Sequence, residues 1–349
     1  MTRRTATFAF TGAILIALIA VASLLPVPYV VYSPGPLEDT LGEWDGEPVI
    51  RVDGAETFPT DGMLELTTVG ITPVDGKVDL ISALQAWLDD SRAVYPRDAI
   101  YSEDDTREGN RERNAAYLRI SQESAKAAAL RKLDYEVPEL VLVDAVVEGT
   151  PAEGTLEPGD VLLSVGGESA DTPRDVVEAV QAHAPGDSVE FVLERDGEEL
   201  TFDIVTTESD DGNAFVGFSP IDSYEFPFEI DVTIDDRIGG PSAGMIFAIA
   251  IYDTLTPGAL LEGLHVAGTG EIAGTGEVGP IGGIQQKIAA ASQEGAELFL
   301  APASNCDEVV GASHGDMQVV SVETLDDAVA AIDATANGDG ADLPSCAVS

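Results

Sequence analysis

The chain has 349 residues, 63 of them Asp or Glu against 17 Lys or Arg, a formal net charge of −46 with the three His taken as neutral. That length suits two or three domains, and 44% hydrophobic residues can bury a core, so collagen-like, coiled-coil and wholly disordered chains are excluded. The charge repels phosphate backbones and no Lys/Arg cluster offsets it, which excludes nucleic acid as a partner.

Phe8 to Leu25 is an uncharged run of 18 residues, long enough as one helix to approach the thickness of a bilayer's hydrocarbon core. Arg3 and Arg4 precede it and the first acids, Glu38 and Asp39, follow it. The positive-inside rule therefore keeps the amino terminus in the cytoplasm and the rest outside, at the cell membrane. A cleavable signal peptide is the competing reading, because Ala20-Val21-Ala22 fits a small-x-small site. The anchor is preferred, since Ser23-Leu24-Leu25 continues the run to Pro26. Cys306 and Cys346 suit an oxidising exterior, either as a disulfide or as two separate thiols.

Val49 to Val52 and Met63 to Val69 read as strands, and Ser82 to Asp89 has helical spacing. Glu103 to Arg113 reads as a solvated loop and Asn114 to Leu133 as an Ala-rich helix. Next come short strands at Leu140–Val147, Val161–Val165, Val189–Leu193 and Leu200–Val205. They are interrupted by a helix with Thr172 as N-cap and Pro173 at its first position. The last section alternates strand and helix, with helices from Ser242 to Leu255, Ile284 to Glu294 and near Leu325 to Asp333. The fold class expected is α+β.

Two segments carry chemistry. Ser242 follows the Gly-rich turn Asp236 to Pro241 and opens a helix that is apolar all round. Unpaired backbone N–H groups and the positive helix end collect there, so Gly240, Ser242 and Ala243 are candidate oxyanion donors. Taken alone, Ser242 reads first as an N-cap, the commonest job of a serine at a helix start. Lys287 shares a helix face with Ile284, Ile288 and Ala291, where burial lowers an amine's pKa and makes a base of it. Taken alone, it reads as a lysine whose stem lies along apolar surface. Together they supply a nucleophile and a base. His183, His265 and His314 lie in no H-E-x-x-H context, and the two Cys lack zinc-site spacing. No metal or cofactor is expected. His265 is an alternative base only if it is not a satisfied core residue.

Gly149 to Gly167, with Pro151-Ala152 and Pro158-Gly159-Asp160, resembles bacterial PDZ domains. The resemblance implies a peptide groove between the strand near Leu140 to Val143 and the helix from Pro173 to His183. Gly240-Pro241-Ser242-Ala243-Gly244, Thr269-Gly270-Glu271-Ile272, Val278 to Gly283 leading to Lys287, and Leu298 to Pro302 resemble the proteolytic domain of Lon-type serine proteases. That resemblance implies Ser242 as nucleophile, Lys287 as general base and Thr269 as a hydroxyl that orients the lysine.

The whole arrangement is similar to membrane-anchored, PDZ-containing Lon-like peptidases of bacteria. It implies a stub and anchor (1–26), a Lon-type domain split into 27–133 and 210–335, an inserted PDZ domain (134–209) and a flexible acidic tail (336–349). The expected function is serine endopeptidase action on extracytoplasmic proteins or peptides, with ring assembly by analogy. None of the four lysines lies in a G-x-x-x-x-G-K-[ST] loop, so ATP is not expected to take part. The rival is an inactive, anchored PDZ receptor that holds peptides without cutting them.

Overall fold

The structure is a computed structural model that describes residues 3–22 and 25–346. It contains two compact units. One comprises the chain up to Leu133 and from Phe228 onward, and the other is the insertion Asp134–Pro227.

The first unit is built on a six-stranded sheet in the order Gln318–Val322, Leu298–Pro302, His265–Gly268, Met63–Ile71, Tyr29–Asp39, Ala93–Pro96. The first four strands are parallel, Tyr29–Asp39 runs antiparallel to them and Ala93–Pro96 antiparallel to Tyr29–Asp39, so the unit is mixed α/β. Leu298, Phe299, Leu300, Val266 and Leu64 are fully buried, as expected for parallel strands covered on both faces. The helix Gly244–Leu255, buried from Gly244 to Ile251, packs on the sheet and against the helices Arg107–Lys132 and Leu325–Ala336. The helix Ile284–Glu294 packs on the strands Tyr29–Asp39 and Met63–Ile71.

Several expectations are corrected. The segment Glu103–Arg113 is not all loop: the helix begins at Arg107, because Thr106 Oγ1 accepts Gly109 N–H at 3.0 Å and Arg113 pairs with Asp105 at 3.0 Å. The expected tail is not free as far as Cys346, and its residues 347–349 lie outside the described residues. Ser345 bridges to Val320, Ser321 N–H donates to Pro344 O at 2.8 Å, and a disulfide joins Cys306 and Cys346. The amino-terminal helix runs Arg3–Ala22, and Ser23 and Leu24 of the expected span lie outside the described residues. Among the described residues no helix is long and apolar enough to cross a membrane, so the expected transmembrane helix has no support in the structure.

The inserted unit is an antiparallel sheet in the order Glu198–Val205, Ser188–Arg195, Val161–Val165, Glu139–Val146, Phe218–Tyr224, with the helix Pro173–Gln181 packed on it. Its core is centred on Phe191, Leu193, Val141 and Val165. The buried Asp160 of Pro158-Gly159-Asp160 takes a two-pronged ion pair from Arg195 at 2.6 and 2.7 Å, which ties that turn to the neighbouring strand. The unit ends at Pro227 rather than at residue 209, because Phe218–Tyr224 pairs along Glu139–Val146. That pairing also moves the expected groove. Leu140–Val143 has partners on both sides, and the strand left at the sheet edge beside the helix is Phe218–Tyr224.

Candidate active site

The parallel strand His265–Gly268 ends at Thr269, beside the start of the Gly244–Leu255 helix and the first turns of the Ile284–Glu294 helix. Crevices at the carboxyl ends of parallel strands are where open α/β sheets place their sites.

The turn that carries Ser242 is braced from both directions. Asp235 accepts Arg237 N–H at 2.9 Å and pairs with its guanidinium, which holds the carboxyl down to about 2. Gly240 N–H donates to Asn114 O at 2.8 Å, and Ser121 Oγ donates to Pro241 O at 2.8 Å. At Gly244 a Cβ would lie 2.7 Å from Ser121 Oγ and 2.9 Å from Ile272 Cγ2, so only glycine lets the chain turn into the buried helix there. The first residue flanking that helix is Ala243, with no side-chain cap, so Ser242 is not spent as an N-cap.

Lys287 rises from the opposing helix, whose preceding residue Gly283 adopts φ +70° with its missing side chain facing Val69 Cγ2 at 2.7 Å. The lysine is 3% exposed among Ile284, Ile288 and Ala291. Its Nζ lies 2.7 Å from Ser242 Oγ and 2.7 Å from Thr269 Oγ1. Burial drives the amine down to about 7, partly opposed by the carboxylate of Glu271. Burial in turn raises Glu271, and Lys287 opposes that rise.

The structure therefore brings together Ser242, Lys287 and Thr269, residues far apart in the chain. Of the candidate oxyanion donors, Gly240 is set aside because its N–H is taken by Asn114. The backbone N–H groups of Ser242 and Ala243, immediately before the helix start at Gly244, remain candidates. His265 is occupied elsewhere: its Nε2 lies 2.6 Å from Glu65 Oε2. Sequence reasoning gave no role to Asn114 and Ser121, which brace the turn from more than a hundred positions away. Glu271 was visible only as a letter in a motif. Among the described residues no group of three or more His, Cys, Asp or Glu is placed to hold a metal ion.

Residues 237–333 match the family model "Lon protease (S16) C-terminal proteolytic domain", and residues 117–206 match the model "PDZ domain". The chain thus carries a Lon-type proteolytic domain and a PDZ domain. It is 38% identical over 92 residues to a Lon protease of Campylobacter concisus, covering 25% of this chain and 11% of that protein. To a Lon protease of Methylocella silvestris it is 40% identical over 95 residues, covering 26% and 12%. The chain thus spans about an eighth or less of the length of these relatives. A solved PDZ domain of an SdrC-like protein from Listeria monocytogenes aligns at 21% identity and a TM-score of 0.22, over 23% of this chain and 86% of that one.

Proposed function

We propose that the chain is an ATP-independent serine endopeptidase of extracytoplasmic proteins or peptides, with Ser242 as nucleophile and neutral Lys287 as general base. The observation that carries this reading is the 2.7 Å contact between Ser242 Oγ and Lys287 Nζ in a pocket that keeps the lysine out of water. An amine held near 7 has a substantial neutral fraction at physiological pH, which is the state that accepts a proton.

In this mechanism Lys287 takes the Ser242 proton as Oγ attacks the peptide carbonyl. The Ser242 and Ala243 N–H groups at the helix start receive the oxyanion. The ammonium then protonates the leaving amine, and Lys287 deprotonates a water that releases the acyl group and regenerates the serine. Thr269 keeps the amine aimed throughout.

The PDZ unit presents substrate, a peptide adding as a further strand along Phe218–Tyr224 beside the helix Pro173–Gln181. With no phosphate-binding lysine loop in the sequence, substrates are exposed tails, loops or unfolded chains. The Cys306–Cys346 bond supports an oxidising compartment. Self-assembly belongs to the same proposal, on the likeness to Lon proteases.

The test is fluorophosphonate labelling and peptide cleavage by the full chain, beside Ser242→Ala and Lys287→Arg. Arginine keeps the charge but cannot release its proton, so both variants are expected to lose turnover about 10³-fold or more. Wild-type turnover in Lys287→Arg removes Lys287 as base. Absence of turnover in the unmutated chain leaves a peptide receptor.

A further inference from the structure

The helix Leu80–Trp87 is packed the wrong way round for a soluble surface. It is firmly built: Asp79 caps it, accepting Ile81 N–H and Ser82 N–H at 3.0 Å each and Ser82 Oγ–H at 2.6 Å. The side it buries carries only Ala83 and Ala86. The side it turns outward carries Leu80, Leu84, Trp87 and, at its C-cap, Leu88, exposed by 44, 51, 72 and 70%. These positions recur at i, i+4, i+7 and i+8, so they line one face. Singly exposed apolar residues are ordinary, but a contiguous outward stripe with a tryptophan in it marks a contact surface.

The stripe joins a second apolar surface. Leu80 N–H donates to the carbonyl of Leu25, itself exposed, at 3.3 Å, and Pro26–Val27 pairs with Val78–Asp79 immediately before the helix. Leu25 lies close after the helix Arg3–Ala22, in which Phe8, Phe10, Leu15, Ile16, Leu18 and Val21 are all exposed. The outward stripe thus begins where that apolar segment meets the folded unit.

We propose that this face is a membrane-docking surface, on which the Leu80–Trp87 helix lies in the headgroup region of a lipid bilayer with Leu84, Trp87 and Leu88 dipping toward the acyl chains. Four side chains fall well short of the roughly 20–30 residues, about 800 Å² per partner, that a stable protein interface needs. A few apolar anchors are enough for an interfacial helix, and tryptophan favours the headgroup level. A second copy is further disfavoured by charge: Asp79, Asp89 and Asp90 flank the stripe on a chain of net charge −46. The same acids make the preferred surface zwitterionic rather than anionic. Docking in this way requires no helix to span the bilayer, and it is independent of the reading of Ser242 and Lys287.

The chain has two tryptophans, so Trp44→Phe leaves Trp87 as sole emitter. The full chain carrying that substitution is mixed with phosphatidylcholine vesicles, plain or brominated along the acyl chains. Trp87 emission is expected to shift to the blue and to be quenched by the brominated lipid. Leu84→Ser with Leu88→Ser is expected to cut that quenching at least tenfold while peptide cleavage is unchanged, and phosphatidylglycerol is expected to weaken docking at low salt. Cosedimentation with Trp87 still emitting as in water overturns the proposal, as does failure to cosediment. Concentration-dependent dimerisation that buries Trp87 without lipid overturns it in favour of a second copy.

Discussion

Thr269 and Ser242 are joined through the serine's backbone as well as through the lysine. Thr269 Oγ1 donates to Ser242 O at 2.9 Å, and Gly270 N–H donates to the same carbonyl at 2.9 Å. With its proton committed there, the threonine oxygen can only accept from Lys287 Nζ. One N–H of the neutral amine is then fixed, which leaves its lone pair free to face the Ser242 hydroxyl.

Thr269→Val removes that constraint without changing shape, and kcat is expected to fall about 100-fold with KM little altered. Thr269→Ser keeps the hydroxyl and is expected to recover most of the loss. Steady-state kinetics on one peptide checks both. Equal kcat in the valine variant removes Thr269 as the positioning residue.

The buried lysine makes stability depend on pH in a definite direction. Its folded value is about 7 against 10.5 for the free group, so between these values the unfolded chain binds the extra proton. Stability rises with pH across that window, and the cost of burying the amine is complete below about 7 and absent above the unfolded value. That cost is on the order of 5 kcal/mol. Lys287→Met, compared with wild type by denaturant unfolding from about pH 6 to about pH 10, is expected to have its greatest relative advantage at the acid end. A difference independent of pH contradicts the displaced value.

Glu271 is the carboxylate that acts on Lys287; Glu65 is occupied with His265, Glu38 faces Asp235 and Arg237, and Glu308 accepts from Asn305. Glu271→Gln removes the one charge that favours the ammonium. The acid limb of the kcat/KM profile, expected near 7 in wild type, should then move to lower pH, while the maximal rate falls because the ammonium formed during attack loses its counter-charge. A variant that loses rate with an unmoved limb assigns Glu271 a merely structural part.

The disulfide spans 40 positions and closes the tail onto the first unit. Reduction, or Cys306→Ser with Cys346→Ser, is expected to cost that unit about 2–4 kcal/mol. Calorimetry with and without reductant measures it, with alkylation and mass spectrometry to count thiols. An unchanged transition after full reduction removes the bond from the unit's stability.

The site was legible because its two helices announce themselves. Met245 to Ile251 is apolar on every side behind a Gly-rich turn, and Lys287 interrupts an apolar stripe in a chain poor in lysine. What escaped depends on partners distant in sequence. Gly240 offers a free N–H on paper, and only the fold brings Asn114 O to it. Phe218–Tyr224 contains Pro220, which argues against a strand until its place at a sheet edge is known. That single strand moved both the PDZ boundary and the groove. The polar start of the Arg107–Lys132 helix has no apolar periodicity, so its capping by Thr106 was the signal available. The tail reads as solvated because acidic composition says nothing of a docking site forty residues upstream.

The bridge from Ser345 to Val320 lies along the outermost strand of the six-stranded sheet, and Ser321 N–H is met there by Pro344 O. Strands left bare at such a margin recruit neighbouring chains and seed aggregates. Pro344 to Cys346 therefore act as a selvedge: they finish the border of the sheet there against extension by a stranger, and the covalent stitch keeps that border from fraying.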